Sequence, residues 1–71
     1  MRTLDRYPAS PWCRYVVMAV DDQYVVYRSA RRPVRGSRWR LDLSTGQPFA
    51  TVGGAVAYAR EQARLERLVA A

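Results

Sequence analysis

Histidine and lysine are both absent from this 71-residue chain, and cysteine occurs once. Without histidine, the usual general base and the commonest zinc ligand are excluded. Without lysine, there is neither a Schiff-base amine nor the lysine of a phosphate-binding loop. A single cysteine, Cys13, closes no internal disulfide. Next to Trp12 it reads as a small, partly buried apolar residue, with an intermolecular disulfide or a reactive thiol as the sharper alternative. No apolar run approaches the ~20 residues of a membrane span. The opening MRTLDRYPASPW lacks the apolar core of a secretion signal. A cytoplasmic location away from membrane is therefore expected. Acidic residues are few: Asp5, Asp21, Asp22, Asp42, Glu61 and Glu66. Their spacing suits no paired acid–base chemistry, and Asp21-Asp22 is better used in a turn than on a metal. The expectation is a protein that is not an enzyme and carries no cofactor.

Arginine is what the chain has instead. Residues 24–40, YVVYRSARRPVRGSRWR, hold Arg28, Arg31, Arg32, Arg35, Arg38 and Arg40 and no carboxylate. The rest of the chain carries the other six arginines and all six acids, so the net charge of +6 resides in this one stretch. Such a block attracts phosphate or an acidic protein surface, and the attraction weakens with salt. Arginine's planar fork suits bidentate contact with phosphate or guanine. The absence of lysine also fits a compositional bias, since alanine and valine are abundant. Nearly half the residues are apolar, too many for a disordered chain. Seventy-one residues allow one domain with a thin core.

Along the chain, Pro8 and Pro11 disfavour regular structure, so residues 1–11 read as an irregular arm and 12–71 as the domain. The run WCRYVVMAV predicts a strand, Asp21-Asp22 a turn and YVVYR a second strand. A two-residue hairpin pairs Val20 with Gln23, Met18 with Val25, Val16 with Tyr27, Val17 with Val26 and Tyr15 with Arg28. In SRWRLDL, Trp39, Leu41 and Leu43 alternate with Arg38, Arg40 and Asp42, which predicts a third strand with one dry face. Thr51 is an N-cap candidate with Phe49 packing near the helix start. Val52, Val56, Ala59 and Ala63 then share a helical face, with Ala55 at its edge. Glu66 falls near that stripe, so the last turns are expected to project beyond the sheet. Gly53-Gly54 reads as small residues in a first turn near the sheet, with an anion site as the sharper alternative. The fold class is α+β: a three-stranded antiparallel sheet with one C-terminal helix packed on one face, β-β-β-α. On this reading the helix covers Val16, Met18, Val25, Tyr27, Trp39, Leu41 and Leu43. Tyr15, Val17, Tyr24, Val26, Arg28, Arg38 and Arg40 form the open face.

Trp39-Arg-Leu, a turn, and then Phe49-Ala-Thr51 with Ala55, Tyr58 and Ala59 resemble the closing strand and helix of small β-β-β-α domains. One such group is the AP2-like, arm-type DNA-binding domain of phage and transposon integrases. The resemblance implies that the sheet face away from the helix enters a major groove. Gly54 stands where such helices often carry the glutamate of a capping box.

Tyr15 and Tyr24 interleaved with Arg28, Arg31, Arg32, Arg35, Arg38 and Arg40 suit nucleic acid, through stacking and phosphate contact. Tyrosine and arginine are equally enriched at protein interfaces. The expectation is a non-catalytic binding module for DNA, RNA or a nucleoprotein surface. The alternative is an inhibitor that docks on an acidic protein surface, similar in type to phage-encoded anti-CRISPR proteins. Leu65, Leu68 and Val69 leave an apolar flank at the helix end, which predicts a weak homodimer or a partner there.

Overall fold

Two aspartates turn the chain at the centre of the sheet. The computed structural model describes residues 2–42 and 48–70, without the side chains of Asp42 and Ala70. In it Asp21 takes a left-handed conformation, φ 55°, which aspartate tolerates because its short side chain can hydrogen-bond locally. The turn joins β2 (Cys13–Val20) to β3 (Gln23–Ala30) in the register the sequence predicts: Val20 opposite Gln23, Met18 opposite Val25, Tyr15 opposite Arg28.

The first residues are not an irregular arm. Arg2–Ser10 form β1, antiparallel to β2 at the sheet edge. Pro8 is tolerated because an edge strand need not donate from every amide. The register slips between Thr3 and Asp5 and again between Pro8 and Ser10, so the strand bends rather than breaks. Beyond β3 the chain pairs twice with the same free edge. β4 (Arg40–Asp42) lies against Arg28–Ala30, and β5 (Pro48–Phe49) against Tyr24 and Val25. The predicted third strand is thus shorter than its alternation suggested. Leu43 lies outside the described residues.

α1 (Val52–Ala70) begins where Thr51 predicts, its hydroxyl accepting the Gly54 amide at 3.2 Å. Phe49, placed by its pairing with Tyr24, meets the Tyr58 ring at 5.4 Å between centroids. A methyl group on Gly54 would press on Thr51 and Phe49, so its smallness serves packing. The buried stripe is Ala55, Ala59 and Ala63, whose small side chains bring the helix close to the sheet. Val52, assigned to that stripe from sequence, is exposed and Val56 is half-buried.

The helix packs on the face opposite to the expected one. Its core partners are Cys13, Tyr15, Val17, Val26 and Ala9, with Leu4, Tyr7, Tyr24 and Phe49 around them. Val17 and Val26 are completely buried. Each such valine contributes roughly 1.5–3 kcal/mol relative to an exposed one. The predicted pairing sorts the two sets correctly. Val16, Met18 and Val25 share the other face with Arg14, Ser29 and Leu41; the helix does not pack there, yet Val16, Met18, Val25 and Ser29 are buried all the same. Leu41, expected in the core, is 46 % exposed. Trp39 is half-buried and meets arginines rather than the helix.

Candidate binding surface

The face inversion removes three residues from the predicted site. Tyr15, only 5 % exposed, lies beneath the helix, and Tyr24, half-buried, packs against the same cluster. Arg28 joins them there and donates its Nε–H to Glu66 Oε1 at 3.1 Å. Glu66 also accepts the Cys13 thiol at 2.9 Å and the Tyr15 hydroxyl at 3.3 Å. The helix is therefore still docked on the sheet at Glu66, and Arg67, Leu68 and Val69 beyond it are exposed, as the expected projection requires. Glu66 falls near the apolar stripe because it serves as the shared acceptor of a half-buried polar cluster. Desolvation works to raise its pKa, but hydrogen bonds from Cys13 and Arg28, the Arg28 charge and the Tyr15 hydroxyl outweigh it and hold it below the ordinary 4.5. Burial, followed by the Glu66 charge, pushes Tyr15 above 10.0. Cys13 is buried, as its apolar reading predicts.

The rim of the opposite face carries a different constellation. The Arg14 guanidinium carbon lies 4.0 Å from the Trp39 ring centroid, and that of Arg31 lies 4.9 Å from Trp39 and 5.2 Å from Trp12. The hairpin register builds this contiguity. Continued past Cys13 and Ala30, it sets Trp12 against Arg31, and the Arg31 amide donates to the Trp12 carbonyl at 2.9 Å. Arg31 Nε–H donates to the Pro11 carbonyl at 3.1 Å, which fixes the side chain between the two indoles. Arg14 is half-buried, and its buried Nε–H has no hydrogen-bond acceptor among the described residues. Desolvation, then the like charges of Arg6 and Arg31, lower its pKa from the ordinary arginine value. A cation so placed is stabilised by the Trp39 ring and opposed by its charged neighbours.

From this stack the chain runs through residues 31–39, turning at Gly36 (φ 82°), where the Ser37 hydroxyl donates to the Arg32 carbonyl at 2.6 Å. The segment rims an open depression of about 860 Å³ lined by Arg31, Arg32, Arg35, Arg38, Arg40, Val34 and Trp39. Arg32, Arg35, Arg38 and Arg40 are exposed, and among the described residues none of them has a carboxylate partner. Five of the six predicted arginines thus stay together, and Arg28 leaves the set. Sequence reasoning missed Arg14, Trp12 and Trp39 as members. The signal was present in part: Trp12 and Arg14 alternate with buried Cys13, and the predicted register, if continued beyond Tyr15 and Arg28, would oppose Trp12 to Arg31.

On the helix side, Arg60, Arg64 and Arg67 line a second groove with Tyr7, Pro8 and Glu61. There Arg64 Nε–H donates to Glu61 Oε2 at 3.1 Å and Arg67 Nη1–H to the Pro8 carbonyl at 2.8 Å. Among the described residues no group of three or more histidine, cysteine or acidic side chains could hold a metal ion, and no helix is long and apolar enough to cross a membrane. Comparison with protein families, curated proteins and solved structures found no match in any of the three.

Proposed function

We propose that the protein is a non-catalytic binding module that holds nucleic acid against the arginine loop and the adjoining Trp12, Arg14, Arg31 and Trp39. The observation that carries this reading is Arg14: a half-buried guanidinium against the Trp39 ring, flanked by the like charges of Arg6 and Arg31, whose Nε–H has no acceptor among the described residues. A bound phosphate at the exposed side of this cluster would supply the missing counter-charge. Arg32, Arg35, Arg38 and Arg40 extend the same field across an open depression suited to a sugar–phosphate chain. The resemblance to integrase arm-type domains points the same way, because there too the sheet face away from the helix is the binding face.

A salt titration of DNA and RNA binding tests it, comparing the wild type with Arg31, Arg32 and Arg35 all changed to alanine. The triple variant should bind more weakly at low salt. For every phosphate it no longer neutralises, the slope of log affinity against log salt should flatten by about 0.7–0.9. A wild type that binds neither duplex nor single strand at low salt sinks the reading in favour of an inhibitor that docks on an acidic protein.

The helix end supports weak self-association as part of the same proposal, since Leu65, Leu68 and Val69 are all exposed, Val69 to 86 %. Sedimentation should show mass rising with concentration, and replacement of Leu68 and Val69 by glutamine should abolish the rise.

A further inference from the structure

Resting on the nucleic-acid reading above, we infer that the ligand is single-stranded and that Trp12 is the platform on which one of its bases stacks. Trp12 sits on the turn between β1 and β2 and is 43 % exposed, although a residue of its size is usually well covered. It is nevertheless held in place. Its carbonyl accepts the Arg31 amide, its own amide donates to the Ser10 hydroxyl at 3.2 Å, and the Arg31 guanidinium lies against its ring.

Trp39 has two guanidiniums within 5 Å of its ring centroid, whereas among the described residues Trp12 has one, the more distant Arg31, and so ends the series. An indole fixed at one side and wet over much of its area offers a pre-ordered surface for another flat π-system. Arg31 draws the next phosphate to the same spot. In a duplex every interior base has both faces covered by its neighbours. Only a single strand, a loop or a frayed end can lay a base on such a platform. A lone exposed tryptophan does little for phosphate contact, so duplex binding through charge alone leaves it without a role.

The test uses fluorescence anisotropy of the full chain with three probes of equal charge: a labelled oligothymidylate, a hairpin duplex, and an oligomer of abasic sugar–phosphates. Wild type should bind oligothymidylate more tightly than either of the others. Trp12→Ala should weaken oligothymidylate binding by about 5- to 150-fold, the range for removal of one stacked base, and weaken abasic-oligomer binding far less. Trp12→Phe should recover most of the affinity. The comparison of oligothymidylate with the abasic oligomer needs only the unaltered protein, so it holds even if Trp12→Ala folds poorly. Equal wild-type affinity for these two probes, or tighter binding of the duplex, overturns the inference. If the triple arginine variant still binds more weakly in that case, the arginine-loop reading stands without it. Absence of binding to all three probes removes both.

Discussion

Glu66 is the residue on which the buried polar chemistry converges, since Cys13, Tyr15 and Arg28 all donate to it from the sheet. Glu66→Gln removes the charge that pairs with Arg28 and should destabilise the fold by about 1–2 kcal/mol in urea denaturation. The figure lies below the ~3–5 kcal/mol of a fully buried pair because both partners keep about 30 % exposure. The pH dependence follows from the shifts. The pKa of Glu66 is lower in the fold, so its contribution is present above the unfolded-chain value and is lost as pH falls through the folded value, below 4.5. Tyr15 is shifted the other way. Its contribution is complete below its ordinary pKa and is lost as pH rises through the folded value, above 10.0. Stability measured against pH should therefore fall at both extremes, and Glu66→Gln should flatten the acid limb. An unchanged acid limb in that variant would place the titrating group elsewhere.

Among the elements, α1 decides which sheet face becomes the interior. Ala55, Ala59 and Ala63 leave no room between helix and sheet, so Ala59→Leu should overpack the contact and cost about 1–3 kcal/mol. Leu41 stands on the other face and is 46 % exposed. Leu41→Ala should change stability by less than ~0.5 kcal/mol, as at ordinary surface sites. A paired thermal melt checks both. A severe destabilisation in Leu41→Ala with a mild one in Ala59→Leu would return the helix to the opposite face. Thr51→Ala should remove the cap on the Gly54 amide at a cost of ~0.5–2 kcal/mol.

For the whole molecule, the dominant electrostatic fact is unbalanced charge. The chain carries +6, and the described ion pairs, Arg28–Glu66 and Arg64–Glu61, lie away from the loop that bears most of it. Self-repulsion of this kind opposes the compact state, and screening relieves it. Raising sodium chloride should therefore raise the melting temperature, where a fold supported chiefly by surface ion pairs would lose stability. A short polyphosphate should act at much lower concentration, because it binds the folded loop and stabilises by mass action. Calorimetry across a salt series checks the first effect. A melting temperature that falls steadily with salt would show that the pairs, not the repulsion, dominate.

The hairpin register, the helix start and the α+β class were all legible in the sequence, because each rests on local chemistry. Asp21-Asp22 turns the chain, Thr51 caps the helix, and small residues recur at helical spacing. The charge of the arginine segment was legible for the same reason, since it requires only counting. Two things were decided by tertiary structure alone. β1 formed through pairing with β2, a partner that Pro8 and Pro11 give no local hint of. The helix chose the face of Val17 and Val26 over that of Val16 and Val25. In a strand reading Val-Val-Met-Ala-Val both faces are apolar, so alternation carries no preference between them. What separated them were contacts distant in sequence: Phe49 set beside Tyr24, and Glu66 set over Cys13, Tyr15 and Arg28. That choice buried Tyr15, half-buried Tyr24, and left Trp12, Arg14 and Trp39 on the side the helix does not cover. Pairing in a sheet sorts residues into two sets, but only the element that packs on it determines which set faces the ligand.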